Sequence, residues 1–375
     1  MARRDEESAR MSTAMNRRDF LKTAAMTGSA LAAGMGGAPR PAAAAGTVNW
    51  LAWGGHVEPQ GIKSFFDASG IRVNHVGMSG NAETFAKLKL SGASQYDLFE
   101  ADGLWPVRYH QEGLIEPIQL DSIPNVAKNM YPEFKKIPAL QVSGGAMLMV
   151  PWGWNPTVLI YNKSKIKTPP TSYEVLLDKK YKGHVGFSDQ HEFLWPVAAY
   201  LLGYDPFKMN KEQLGKAKDV LIQIKRNAPT ISKGWNEQLR LYVEETVWIG
   251  LSSPGRALTI QSSGGPAMGW ERPKEGYVGW IDGDMLVKGS PNRDAALAWL
   301  NHIHSPEYVA TNFQRLQRGS VNRAGVELLK SQGMSEMVRA NLMDQPEMAL
   351  KMRLIEAPAN QDEYAAAWNE VLAAS

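Results

Sequence analysis

Thr47-Val48-Asn49-Trp50-Leu51-Ala52-Trp53-Gly54-Gly55 is a run of strand-forming residues stopped by a glycine pair. Beyond the glycine pair, Pro59 to Ser69 places Ile62, Phe65 and Phe66 on one helical face, and Gly70 ends that helix. Ile71-Arg72-Val73-Asn74-His75-Val76 alternates as a second strand. Glu83 to Ser91 reads as another amphipathic helix, Asp97 to Ala101 as a short buried strand, and Leu104 to Gly113 as the next helix. Strand and helix alternate at the spacing of βαβ units, which predicts an α/β protein with a largely parallel sheet.

The pattern resumes after Val150-Pro151-Trp152-Gly153-Trp154-Asn155-Pro156. Strands are expected at Val158 to Asn162, Lys182 to Phe187, Thr246 to Leu251 and Gly276 to Ile281. Helices are expected at Glu192 to Leu202, Lys211 to Arg226 and Asp294 to Ser305. No internal repeat or long linker separates the two regions, so two lobes sharing several chain crossings are expected.

The N-terminus carries Asn16-Arg17-Arg18-Asp19-Phe20-Leu21-Lys22, which resembles a twin-arginine export motif. A modestly apolar run from Thr23 to Gly37 and the small residues Ala42 to Ala45 follow in the order an export leader requires. The run is too short and glycine-rich to span a bilayer, which takes about 20 apolar residues. Removing residues 1–45 takes seven basic and four acidic residues from totals of 41 and 38, leaving 34 of each. The apparent basicity therefore belongs to the leader, and no basic field remains to draw nucleic acid. With no cysteine in the chain, disulfides, thiolate metal sites and a lipid-modified N-terminal cysteine are excluded. A free, monomeric periplasmic protein delivered by the twin-arginine pathway is the expectation.

Signatures of catalysis do not occur: there is no G-x-S-x-G elbow, H-E-x-x-H pair, phosphate loop or dinucleotide fingerprint. His302 and His304, two apart on a helix, point in different directions and make a poor metal pair. No enzyme and no cofactor is therefore expected. Tryptophans, by contrast, gather beside glycine and proline at strand ends: Trp53, Trp105, Trp152, Trp154, and Trp280 near Asp282 and Asp284. Ligands of open α/β sheets sit beyond such strand ends, where indole faces attract ammonium groups and carboxylates fix them.

Several segments, in order, resemble the polyamine-type solute-binding proteins of ABC importers. They are Ala86 to Lys89 with Tyr96-Asp97-Leu98, Gln111 to Ile118, Val150 to Gly153, and Asp284 to Val287 with the helix from Asp294 to Ile303. The resemblance spans essentially all of the chain after the leader. It implies a two-lobed periplasmic-binding-protein fold, each lobe a mixed sheet flanked by helices and joined by crossing hinge strands. Residues 46–154 with about 285–320 would form the first lobe, and 155–284 with about 321–375 the second. It also implies a membrane permease as partner and a small amine as ligand, enclosed by hinge closure.

Carried over by position, Trp53 matches the aromatic that packs on the amine chain and Asp284 the carboxylate that holds an ammonium group. Asp102 falls at a small hydroxyl position, and Leu104 or Trp105 at a tyrosine. Several positions depart from the pattern. Gly54-Gly55-His56 replaces polar and aromatic residues, Ser253 a stacking tryptophan, and Asp282 an aromatic. Gln190 and Phe193 take the place of an acidic pair, and Arg318 that of a tyrosine. The expected site is thus Trp53, His56, Asp102, Trp105, Trp154, Ser253, Asp282, Asp284 and Arg318. Arg318, and more weakly Arg256, would repel an ammonium but can clamp a carboxylate. An amino-acid-like or opine-like zwitterion is therefore an alternative to a polyamine. A ferric-ion binder, which would want paired tyrosines where no adjacent Tyr pair occurs, and an exported enzyme rank lower.

Overall fold

The computed structural model describes residues 46–78 and 80–374; the leader expected at 1–45 lies outside them. In chain order the strands are β1 (Thr47–Trp53), β2 (Arg72–Met78), β3 (Leu98–Asp102), β4 (Ile115–Glu116), β5 (Val150–Pro156), β6 (Val158–Asn162) and β7 (Phe187–Ser188). There follow β8 (Ile231–Ser232), β9 (Ile249–Ser252), β10 (Met268–Glu271), β11 (Val278–Val287), β12 (Gly319–Ser320) and β13 (Arg353–Leu354).

The first sheet runs β12-β5-β11-β3-β1-β2, with β4 and β13 attached to β11. Its βαβ half is parallel, β1 pairing with β2 and β3, whereas β11 lies antiparallel to β3 and β5. The mixed sheet arises because β11 enters from the other lobe and must run back down the sheet. A second sheet, β10-β6-β9, is antiparallel, and a bridge from Val185 to Ile249 leads on to the parallel pair β7-β8.

Local signals set the elements much as their residues demand. The helix Pro59–Ser69 begins with proline, is capped by the Glu58 side chain accepting from Gln60 N, and ends at Gly70 with φ 75°. Asn210 and Gln213 form a reciprocal capping box at the start of the helix Lys211–Lys225. Two expectations change. The strand expected over Lys182 to Phe187 shrinks to β7, and β11 runs well past Ile281 to Val287. Strand β5, with prolines at both 151 and 156, is an unusual interior strand. Its register against β11 skips Trp152, so a bulge accommodates Pro151.

One apolar core gathers Val48, Trp50, Leu98 and Phe99 with Trp154, Met285, Trp299 and Phe313. A second surrounds Leu159, Trp195, Leu214 and Leu221. The chain passes between them at Thr157, at residues 272–277 and at residues 355–360. Val321, Val326, Leu329, Val338, Met343 and Met352 pack in the first core, although 321–375 was expected in the second lobe; of that stretch, the helix Gln361–Ala373 joins the second core through Tyr364, Trp368 and Val371. The amphipathic helices Pro306–Leu316 and Arg323–Ser331 must cover the outer face near β5 and β12, which the short β12 cannot shield alone.

Candidate functional site

A cleft of about 400 Å³ opens where the two lobes meet. The first lobe contributes Trp53 from the end of β1, His56 after it, Asp102 from the end of β3, Asp282 from β11, and Arg315 and Arg318. From the second lobe come Ser188, Gln190, Glu192 and Phe193 around the start of the helix His191–Leu201. Ser252, Ser253 and Arg256 line it from the end of β9 and the start of the helix Pro254–Ser262, and Trp235 stands beside them. Thr157 lies at the crossing between β5 and β6, and Trp280 near the start of β11.

Of the nine expected residues, six line this cleft: Trp53, His56, Asp102, Ser253, Asp282 and Arg318. Trp105, Trp154 and Asp284 do not. Trp105 is buried in the first lobe beside Phe85 and Arg108. Trp154 is fully buried near Phe134, its indole packed against Gly319, where a Cβ would meet the ring at 2.4 Å.

Asp284 is displaced by register. Asp282 sits opposite Asp102 at the cleft end of β3, and Asp284 sits opposite Glu100, two residues farther from the cleft. At about 3.4 Å per residue that is roughly 7 Å deeper on the same face. Asp284 is fully buried; its Oδ1 accepts from Trp50 Nε1 at 2.6 Å and its Oδ2 has no partner among the described residues. Burial, and then the Glu100 carboxylate, pushes its pKa well above the usual aspartate range.

Beneath the cleft the polar groups form a connected set. Glu100 Oε2 accepts the Trp53 amide at 2.8 Å and lies 2.9 Å from His56 Nδ1. Burial raises the Glu100 pKa strongly and lowers that of His56, so His56 is a neutral ring at ordinary pH. Its Nε2 faces Asp282 at 3.7 Å. Asp282 in turn accepts from Arg318 Nη1, and the Arg318 guanidinium lies 5.5 Å from the Trp152 ring centroid. The charge of Arg318 is therefore met within the protein, and Asp282 is similarly occupied.

Asp102 is a different case. Its Oδ1 accepts from Asn81 Nδ2 at 2.9 Å, and no cation is bonded to it among the described residues. Burial pushes its pKa well up, and the charges of Asp282 and Glu192 add to that push. Two carboxylates from opposite lobes, Asp102 and Glu192, thus share one field with Trp53, Phe193 and Trp280 around the same cleft. Phe193 and Trp280 meet edge to face, with ring centroids 5.6 Å apart. This is the chemistry that receives an ammonium group: negative charge for the head and aromatic faces for the alkyl stem.

Glu192, Trp235 and Arg315 were not legible as cleft residues. Arg315 donates to the carbonyls of Gly55 and Val57 and to Asn312 Oδ1, holding the turn after β1. Arg256 lies over Trp235, its Cζ 4.5 Å from the ring centroid. No cluster of three or more His, Cys, Asp or Glu side chains suited to a metal ion occurs among the described residues.

The family model for bacterial extracellular solute-binding proteins matches residues 60–331. The spermidine/putrescine-binding periplasmic protein of Escherichia coli (strain K12) is 24% identical over 285 residues, covering 76% of this chain and 80% of that protein. The putrescine-binding periplasmic protein PotF of the same organism is 23% identical over 307 residues, with 76% and 80% covered. Among solved structures, a putative spermidine/putrescine ABC transporter from Listeria monocytogenes superposes with a TM-score of 0.75 at 22% identity, over 87% of this chain and 99% of that one. That likeness extends over both lobes and identifies the two-lobed periplasmic-binding-protein fold. The chain belongs to the family of bacterial extracellular solute-binding proteins.

Proposed function

We propose that this chain is the extracytoplasmic solute-binding component of an ABC importer, capturing a small amine-bearing solute between its lobes by hinge closure. The observation that carries the reading is the pair Asp102 and Glu192, one from each lobe, lining a single aromatic-walled cleft. Closure on an ammonium group relieves the repulsion between them, so the ligand stabilises the closed form it needs. Relatives named for spermidine and putrescine binding support an amine as the recognised group. A membrane permease is the partner such a protein serves, and the periplasmic relatives together with the leader motif support an exported, periplasmic product.

Thermal unfolding against a panel of aliphatic monoamines, diamines and amino acids tests the reading. A ligand at about 100 times its dissociation constant adds roughly 2.7 kcal/mol to the folded state, which moves the transition by several degrees. A panel in which no amine shifts the transition overturns the proposal.

A further inference from the structure

Three arginines line the cleft, and two of them are already answered: Arg318 by Asp282, and Arg315 by two carbonyls and Asn312. Of the three, Arg256 alone has a guanidinium without a hydrogen bond or ion pair to any described residue; its Cζ lies 4.5 Å over the Trp235 ring centroid. We propose that Arg256 is the anion-binding pole of the cleft, and that the captured solute is a zwitterion with an amine at one end and a carboxylate at the other. This rests on the amine-capture reading above and specifies the second end of the ligand.

The surroundings of Arg256 suit a carboxylate. It stands in the first turn of the helix Pro254–Ser262, where backbone N–H groups lack intrahelical partners. Ser253 Oγ accepts the Arg256 amide at 3.4 Å, which leaves its hydroxyl proton free to donate. Two further hydroxyls line the cleft: Ser252 Oγ and Thr157 Oγ1, on residues only 4% exposed, and neither has a hydrogen-bond partner among the described residues. Buried polar groups without partners are costly unless something comes to satisfy them. Contact with the Trp235 ring, 4.5 Å from Cζ to centroid, restrains the guanidinium, whose fork can meet both oxygens of one carboxylate.

Charge balance points the same way. Once an ammonium has drawn Asp102 into its ionised form, three carboxylates (Asp102, Glu192, Asp282) and three arginines line the cleft, and burial keeps His56 neutral. A neutral cleft with separate poles fits a ligand of zero net charge. A diamine would satisfy Asp102 and Glu192 but carry its second cation into a site holding an unanswered arginine. Burial and the nearby Arg318 charge push the Arg256 pKa down to about 10, the mark of a cation in want of an anion.

Titration calorimetry on the full folded protein compares 4-aminobutanoate and 5-aminopentanoate with 1,4-diaminobutane and 1,5-diaminopentane, which match them in length and amine but lack the acid. The amino acids are expected to bind at least about 30-fold tighter than the diamines, and Arg256→Gln to remove that margin while its urea midpoint stays near that of the parent. Diamines binding as tightly as, or more tightly than, the amino acids overturn the zwitterion inference and leave amine capture standing. Amino-acid affinity unchanged by Arg256→Gln overturns the role of Arg256. If none of the four binds, the linear zwitterion is refuted; silence across the wider amine panel as well refutes amine capture itself. Should Arg256→Gln fail to fold, the comparison of the two ligand pairs on the parent protein decides by itself.

Discussion

Capture of an ammonium by Asp102 should be coupled to proton release. In the empty cleft, burial first, then the charges of Asp282 and Glu192, raise the Asp102 pKa well above its ordinary 3.8. The sign follows from the acid form being neutral. Below its raised pKa the free protein keeps Asp102 protonated, and an incoming ammonium selects the carboxylate and expels the proton. Affinity therefore climbs as pH rises toward the raised pKa and levels off above it. The slope on the rising limb is at most one proton, about 1.4 kcal/mol or tenfold in affinity per pH unit. The empty protein shows the complementary trend. The contribution of this group to folding is fully present below pH 3.8 and is lost as pH rises through the raised folded value. Bound ligand cancels that loss.

Calorimetry at about pH 6 in two buffers of unlike ionisation heat reads the coupling directly, since each released proton adds the buffer's own heat. Between zero and one proton is expected per ligand bound. Asp102→Asn should abolish the release and weaken binding by about 30-fold or more, because the ammonium then loses a charged partner. Binding heats identical in both buffers, with affinity flat from about pH 5 to 8, would refute the assignment of Asp102 as the amine's partner.

Two further outcomes follow from the packing. Asp284→Asn should leave ligand binding intact, since Asp284 lies behind the cleft on Trp50 Nε1. Because burial raises the folded pKa of Asp284 above 3.8, the parent loses stability as pH climbs through that raised value. The Asn variant should lack that component, worth up to about 1.4 kcal/mol per pH unit in urea unfolding; lost binding would put Asp284 back in the site. Gly255→Ala should weaken binding, because a Cβ there would lie 1.6 Å from the Gln317 carbonyl and 2.2 Å from Asn341 Oδ1, both on the first lobe. An overpacked contact costs about 1–3 kcal/mol, and here it opposes closure, so roughly tenfold weaker affinity is expected. Affinity within about twofold of the parent would show that this contact plays no part in closure.

How far the sequence discloses this molecule depends on how local the signal is. Helix starts and stops such as Pro59, Gly70 and the Asn210 box lie within one turn and are readable directly. The lobe assignment of residues 321–352 is not, because it depends on amphipathic helices choosing between two apolar cores, and their own periodicity is equally content with either. Tryptophan was an ambiguous marker for the same reason. Trp53 and Trp280 reach the cleft, while Trp50, Trp154, Trp195 and Trp299 are core, and only the sheet's pairing separates the two groups.

Asp282 and Asp284 are both acidic, on one strand, and two apart, so period-2 geometry assigns them one face and cannot rank them. What ranks them is the antiparallel register that sets Asp282 beside Asp102 at the rim and Asp284 beside Glu100 beneath it. A resemblance anchored on the segment Asp284 to Val287 lands on the inner carboxyl, which meets Trp50 instead of solvent. Even the rim aspartate is bound to Arg318, so the residues at which this chain departs from the polyamine pattern answer one another. Arginine at 318 provides the charge that aspartate at 282 requires, and with those two positions answering each other, Asp102 and Glu192 are left to the proposed ammonium and Arg256 to the proposed carboxylate. Substituting either member of the Asp282–Arg318 pair alone would therefore disturb the whole field of the cleft, whereas substituting Arg256, which has no such partner among the described residues, tests its proposed role in isolation.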